Sequence, residues 1–212
     1  MRSTNDPGRS PGSISHASTP APYDAAVLSA SDPLPYRPER IAVVGVSGSG
    51  KSTLARRVAA VLDLPYTEMD ALFHGAGWTR RPTFESDLAA LLAAGRWVTE
   101  WQYDDARPLL TERADLMVWL DLPFRVTLSR VVRRTVRRRV RREELWNGNR
   151  EGPLLRFFTD REHIVRWTIS TRHLYDERVR AVAAARPDLP IVHLRSRPEG
   201  DRWVREVLAP LA

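Results

Sequence analysis

The sequence predicts an α/β protein in which helices cover both faces of a parallel sheet. Short apolar runs alternate along the chain with longer segments whose apolar residues recur at helical spacing. The run Leu116 to Leu120 is apolar throughout, as expected of a parallel strand that is buried on both faces. Strands that alternate with helices imply right-handed crossovers, so we expect a three-layer α/β/α sandwich.

The chain begins with a segment that carries no helical or strand pattern. Residues 1–37 are rich in Ser, Pro, Gly and Asp, so they are predicted to form a disordered tail, and 38–212 to form one folded domain. Five strands are predicted within that domain, at 41–44, 66–69, 97–99, 116–120 and 191–194.

The helices are predicted from apolar residues spaced three or four apart and from their stop signals. Leu64-Pro65 stops the first helix, Gly95 closes the second, and Asn147-Gly148-Asn149 breaks the long arginine-rich one. The predicted helical segments are 54–62, 83–94, 109–113, 128–140, 153–185 and 203–208.

Composition narrows the function classes without identifying one. The formal net charge is +7, yet Lys51 is the single lysine among 33 basic residues, so the basic balance is an arginine bias. The chain has no cysteine, which excludes disulfides and cysteine-ligated zinc. No apolar run approaches the ~20 residues of a membrane-spanning helix, and no apolar signal-peptide core is seen, so we expect a soluble cytoplasmic protein without a membrane partner.

The most specific motif is the segment GVSGSGKST at 45–53. It satisfies the pattern G-x-x-x-x-G-K-S/T, and it lies between a predicted strand and a predicted helix, as a phosphate-binding loop requires. Backbone N–H groups of such a loop converge on nucleotide phosphates, its lysine reaches the outer phosphates, and Ser52 is placed to bind Mg²⁺. The predicted nucleotide-binding residues are Gly45, Ser47, Gly48, Ser49, Gly50, Lys51, Ser52 and Thr53.

Three acidic residues follow predicted strands, at the sheet edge where ligands bind in such folds. Asp70 is a candidate to accept a proton from a substrate hydroxyl, although a helix-capping role remains open. Glu100 is the candidate for the magnesium site, and Asp121 ranks below it. His74, Trp78, Arg80 and Arg81 follow Asp70, and they form either an acceptor pocket or an ordinary surface loop.

The segments GVSGSGKSTLA, EMDALFHGAGW, WVTEWQY and ADLMVWLDLP resemble the adenylate-kinase-like branch of P-loop kinases, and within it the topology-modulation proteins. The resemblance spans about 40–208. It implies the strand order 2-3-1-4-5 and an arginine-bearing helical lid at about 134–160. It also implies that Arg130 lies near the adenine and that Arg134 contacts phosphate, with Arg172 a weaker catalytic candidate. Relatives have an aspartate where this chain has Glu100, and in them that aspartate orients magnesium-bound water.

The favoured hypothesis is an ATP- and Mg²⁺-dependent phosphotransferase that moves the γ-phosphoryl group to a small acceptor. The arginine run 125–142 and the topology-modulation resemblance keep a nucleic-acid-associated ATPase open as a less favoured alternative, although no aromatic residues interleave with these arginines. Glu100 keeps a third alternative open, a nucleotide-binding regulator without catalysis. Catalytic roles are assigned to Lys51, Asp70, Arg134 and Arg172.

Overall fold

A computed structural model describes two parts of the chain, 27–150 and 174–212. Both belong to one sheet and its covering helices. The six strands are β1 (Val27–Leu28), β2 (Arg40–Gly45), β3 (Tyr66–Thr67), β4 (Trp97–Glu100), β5 (Leu116–Leu120) and β6 (Ile191–Leu194). All neighbouring strands are parallel, in the order β1-β6-β5-β2-β4-β3.

The sheet has six strands where five were predicted, and the added edge strand β1 makes the full order differ from the predicted one. The five predicted strands themselves keep the predicted order, as β3-β4-β2-β5-β6. The additional strand β1 lies in the segment predicted as a disordered tail, and it pairs with β6 through Val27 to Ile191 and Leu28 to Val192. Val27 and Leu28 also pack against the buried cores on the two sides of the sheet. Ladder hydrogen bonds and apolar contacts thus order a run too short to show periodicity among its Ser, Pro and Asp neighbours.

Helices and short helical turns connect the strands. The α-helices are α1 (Lys51–Leu62), α2 (Met69–Phe73), α3 (Phe84–Ala93), α4 (Ala106–Arg113), α5 (Phe124–Arg141), α6 (Leu174–Ala185) and α7 (Arg197–Trp203). Single 3₁₀ turns form at Ala76–Trp78, Trp146–Gly148 and Ala209–Leu211, and a π-helical turn at Val204–Leu208 follows α7. Within the described ranges, no helix is long and apolar enough to cross a membrane.

The central strands are buried on both faces because each face carries its own apolar core. On one face, Val43 and Val118 pack with α1 and with Trp203 of α7. On the other face, Met117 and Trp97 pack with α3, α4 and α6. This double burial confirms the three-layer α/β arrangement, and it leaves the strand ends as the place where polar side chains gather.

Two local predictions differ from the structure. The second predicted strand was to run to Met69, but β3 ends at Thr67 and Met69 begins α2. The cause is the Met69 N–H, which donates to Oε2 of Glu100 at 2.9 Å and turns the chain out of the sheet. The predicted lid at about 134–160 begins inside α5, since that helix continues to Arg141, while 151–160 lies outside the described residues.

Candidate functional site

The loop between β2 and α1 has the backbone of a phosphate cradle. Gly48 has φ +79°, in the left-handed region that favours glycine. A Cβ on Gly48 would lie 2.5 Å from the carbonyl oxygen of Thr127, and one on Gly45 would lie 2.6 Å from that of Leu120. The glycines therefore let the loop pass close to α5 and β5 without a side chain in between.

Lys51 begins α1 at the floor of this loop and is buried. Its Nζ donates to the carbonyl oxygen of Val46 at 3.3 Å. Burial lowers the pKa of Lys51, Asp70 and Glu100 oppose that shift, and Arg134 adds to it. The structure thus brings the predicted lysine, both acidic candidates and the predicted arginine into one electrostatic neighbourhood.

Other loop residues fit a bound polyphosphate. The Oγ of Ser49 is buried and, within the described residues, has no hydrogen-bond partner, so this loop hydroxyl is left able to bind a phosphate oxygen. Arg130, on α5, donates from Nη1 to the carbonyl oxygen of Ser49 at 3.3 Å. The structure therefore places Arg130 at the loop. Ser47 is half-buried in the loop, Ser52 is half-buried in the first turn of α1, and Thr53 beside it is exposed.

The candidate base Asp70 lies in the first turn of α2 and is held by two donors. Its Oδ1 accepts from Nε2 of Gln102 at 2.8 Å and from Oη of Tyr103 at 2.6 Å. No side-chain cap of α2 is formed by Asp70, so the capping alternative is not what the structure shows. Burial and the charge of Asp70 raise the pKa of Tyr103, which keeps its hydroxyl protonated as a donor.

Tyr103 is itself fixed in a strained place. Its φ is +63°, uncommon for a residue with a large side chain. Its ring stacks on Phe73 at 3.7 Å between centroids and 7° between planes, and its Oη lies 3.1 Å from Nε2 of His74. Backbone strain held by such packing is typical of functional sites. Neither Gln102 nor Tyr103 was predicted as a site residue, and their position straight after the strand end at Glu100 was the available signal.

Glu100 is buried at the end of β4, and both of its oxygens already accept hydrogen bonds from the protein. Tyr66 donates to Oε1 at 2.6 Å, and the N–H of Met69 donates to Oε2. Burial and Glu100 raise the pKa of Tyr66, so this phenol stays a donor. A carboxylate held in this way fixes the start of α2, and with it Asp70.

Asp121 points away from this centre. Its Oδ2 lies 3.0 Å from Nε2 of His193, whose ring stacks on Trp119 at 4.0 Å. This supports ranking Asp121 below Glu100 as a magnesium candidate. Within the described residues, no group of three or more His, Asp or Glu side chains forms a metal site by itself.

The arginines after Asp70 are engaged by carboxylates rather than left for a ligand. Arg80 pairs with Glu85 at 2.6 Å and with Asp105 at 2.9 Å. Arg81 pairs with Asp87 at 3.0 Å. For these two residues the surface-loop interpretation is therefore favoured over an anion clamp.

His74 and Trp78 belong to a loop that meets a second loop of similar shape. The acceptor-side loop (74–80) and the helix-end loop (144–150), which follows α5, are each closed by an antiparallel bridge between their end residues. Each also contains a 3₁₀ turn and residues with positive φ. The two loops pack together, and Trp146 of the second stacks near His74 at 6.1 Å. The sequence marked Asn147-Gly148-Asn149 only as a helix break.

The remaining catalytic candidate, Arg172, lies outside the described residues, as does the part of the predicted helical segment 153–185 that precedes 174.

A glycine loop that joins a parallel strand to a helix, with a buried lysine at its floor, defines a P-loop protein of the α/β class. No protein-family model matches the chain. The chain is similar to a shikimate kinase of Bradyrhizobium diazoefficiens, with 31% identity over 142 residues, which cover 58% of this chain and 66% of that protein. The aligned part thus falls short of the relative's full length.

Solved structures with a similar arrangement are also kinases by name. A shikimate kinase from Acinetobacter baumannii, in complex with shikimate, has 18% identity and a TM-score of 0.47, covering 79% of this chain and 89% of that chain. A gluconokinase from Sinorhizobium meliloti 1021 has 22% identity and a TM-score of 0.46, covering 83% of this chain and 93% of that chain. The narrower resemblance to topology-modulation proteins stays a prediction.

Proposed function

We propose that this chain is an ATP- and Mg²⁺-dependent phosphotransferase that acts on a hydroxyl group of a small acceptor. The observation that carries the proposal is the environment of Lys51, a buried phosphate-loop lysine on which the charges of Asp70 and Arg134 both act. Phosphoryl transfer needs positive groups around the migrating phosphoryl and an acceptor hydroxyl aligned with it. Lys51 and Arg134 are the proposed positive groups, and Asp70 is the proposed group that aligns the acceptor hydroxyl.

The donor side is proposed to work through the loop and α5. Backbone N–H groups of the loop and Lys51 bind the outer phosphates, Arg130 lies toward the adenine end, and Arg134 offsets charge that develops in transfer. Magnesium, when bound, neutralises phosphate charge. Ser52 is the proposed direct ligand. Glu100 is proposed to reach the ion only through water, because both of its oxygens already accept protein hydrogen bonds.

The acceptor side is proposed to work through Asp70. Gln102 and Tyr103 both bind Oδ1, which fixes the carboxylate plane and directs Oδ2 to the acceptor. Within the described residues, no hydrogen bond is found to Oδ2. Asp70 would take the hydroxyl proton as the acceptor oxygen bonds to the γ-phosphorus and the bond from that phosphorus to ADP breaks, a role that typically contributes about 10²–10⁴-fold in rate.

Because the chain is similar to a shikimate kinase, a hydroxylated carboxylic acid is the first acceptor to test. The lid at about 134–160 is proposed to close over both ligands and exclude water. Arg172, which follows the lid in the sequence, is a further proposed catalytic residue. We also propose that the protein is cytoplasmic and that the residues before β1 form a disordered tail.

The test is acceptor-dependent ADP release with shikimate, gluconate and nucleoside monophosphates, with three variants beside the native chain. Lys51→Ala should lose binding of a non-hydrolysable ATP analogue. Asp70→Asn should keep that binding and lose turnover by about 10²-fold or more. Asp63→Asn is the matched control, since Asp63 is exposed at the end of α1 and Asn accepts its left-handed backbone. Retained tight nucleotide binding in Lys51→Ala contradicts the proposal, as does ADP release that no acceptor stimulates.

The second candidate is a nucleotide-binding regulator without catalysis. The closed hydrogen bonding of Glu100 favours it, because this carboxylate already has a structural task. Tight analogue binding together with no turnover on the whole panel would be its expected result.

A further inference from the structure

Asn149 is the polar centre of the contact between the acceptor-side loop and the helix-end loop. It is buried, and its side-chain amide makes three hydrogen bonds. Nδ2 donates to the carbonyl oxygen of Gly75 at 2.7 Å and to that of Trp146 at 2.9 Å, and Oδ1 accepts from the N–H of Trp78 at 3.0 Å. One carboxamide therefore satisfies backbone groups of both loops, and no other side chain of its size carries two donors and an acceptor in one plane.

Further contacts secure the same pair of loops from either side. Nδ2 of Asn147 donates to the carbonyl oxygen of His74, and the indole N–H of Trp78 donates to that of Arg150 at 3.3 Å. The rings of Trp78 and Trp146 meet edge to face at 6.2 Å between centroids. These bonds are peripheral and more exposed, so the buried amide of Asn149 is the one whose loss leaves backbone groups without a partner.

The contact leads directly to the candidate base. His74 opens the acceptor-side loop and lies 3.1 Å from Oη of Tyr103, which in turn donates to Asp70. The helix-end loop follows α5, whose other end carries Arg130 at the phosphate loop. The joined loops thus bridge the acceptor side and the donor side of the site.

Resting on the phosphotransferase function proposed above, we propose that Asn149 is a positioning residue for the acceptor. It holds the acceptor-side loop in the form in which His74 supports Tyr103 and Asp70. The nucleotide loop has its own supports in β2, β5 and α5, so loss of Asn149 loosens the acceptor side and leaves nucleotide binding nearly intact. A purely structural role would instead weaken the whole domain.

The test is hydrogen exchange of the full-length chain, followed in peptides that cover 74–80 and 116–120. In Asn149→Ala, exchange in 74–80 should rise about tenfold or more, because the N–H of Trp78 loses its acceptor, while exchange in 116–120 stays as in the native chain. Asn149→Asp keeps the volume but loses both donors, so it should loosen the same loop if Asn149→Ala folds poorly. Asn147→Asp is the matched control, because Asn147 is an exposed residue of the same type with one cross-loop bond and Asp also accepts its left-handed backbone; it should change exchange in 74–80 by less than threefold.

Kinetics supply a readout that simple destabilisation does not move. With the acceptor that gives the fastest turnover in the panel, the acceptor KM of Asn149→Ala should rise about tenfold, while the KM for ATP stays within twofold. Unchanged exchange in 74–80 overturns the proposal, and so does faster exchange in both peptides for both Asn149 variants. Equal rises of the two KM values also overturn it. If the native chain fails to bind the ATP analogue, the phosphotransferase function itself is wrong, whereas the exchange data still test the loop contact on their own.

Discussion

Replacing Gly48 with alanine tests whether the phosphate loop depends on its close approach to α5. Alanine would have to adopt φ +79°, where an L-residue costs roughly 1–2 kcal/mol. Its Cβ would also lie 2.5 Å from the carbonyl oxygen of Thr127 and 2.7 Å from Cγ2 of Val131. Thr127 and Val131 are both fully buried, so neither atom moves freely.

The size of the effect follows from these two terms. Overpacking of a rigid site typically costs about 1–3 kcal/mol, and here one clashing atom belongs to a helix backbone. Together with the conformational cost, Gly48→Ala should lower the free energy of unfolding by roughly 2–5 kcal/mol. Gly95→Ala is the matched control, because Gly95 has φ +74° but nothing within 4 Å of its Cβ position. It should cost only the conformational part, roughly 1–2 kcal/mol.

The assay is urea unfolding followed by tryptophan fluorescence, with binding of a non-hydrolysable ATP analogue measured in parallel. The clash pushes apart the loop and the helix segment that carries Arg130, so Gly48→Ala should weaken analogue binding by about tenfold or more, equivalent to roughly 1.4 kcal/mol. Gly95→Ala should leave it unchanged. Equal losses of stability in the two variants, or native affinity in Gly48→Ala, would refute the proposed packing of the loop on α5.

Three further outcomes are expected. Tyr66→Phe removes a donor from the buried carboxylate of Glu100, so urea unfolding should show that the free energy of unfolding falls by about 1.5–3 kcal/mol. Tyr36→Phe should lower it less, because the native Tyr36 hydroxyl makes an exposed hydrogen bond to the carbonyl oxygen of Asp115. Equal losses would contradict a special role of Glu100. Burial lowers the pKa of His74 below its ordinary 6.5, against an opposing effect of Asp70. The folded state therefore favours neutral His74. The contribution of neutral His74 to stability is complete above about pH 6.5 and is lost as the pH falls through the lowered pKa. The melting temperature should depend less on pH between 7.5 and 5.5 in His74→Gln than in the native chain, and an unchanged pH dependence would count against this. At high salt, the exposed pair Arg57 and Asp201 should contribute almost nothing, so Arg57→Gln should change the melting temperature little; a large drop would contradict its exposed character.

The phosphate loop was predictable because its function demands residues at fixed spacing in one local segment. Gly45, Lys51 and Ser52 are separated by a few residues, so the motif can be recognised from one short segment of the sequence. Arg130 was assigned to the adenine side through family resemblance; its observed contact with Ser49 joins residues 81 positions apart, which no local pattern indicates. Glu100 and Asp70 were predicted from strand ends, which parallel sheets bring to one edge.

The acceptor side was less predictable because its parts come together only in the folded chain. Tyr103 reaches Asp70 across 33 positions, and Asn149 reaches Gly75 across 74. No periodicity records such contacts. The ion pairs of Arg80 and Arg81 were missed although Glu85 and Asp87 follow closely in sequence, because which charges pair depends on how the loop lies against α3 and the start of α4.

The short strand β1 also protects the sheet from other chains. It pairs with β6, whose residues Ile191, Val192 and Leu194 are fully buried. If the chain began at residue 38, β6 would present an open row of N–H and C=O groups beside apolar side chains, an arrangement that invites pairing with the same edge of a second molecule. Two residues near the N-terminus therefore contribute to keeping this protein from self-association, and a shortened chain should form larger particles as its concentration rises.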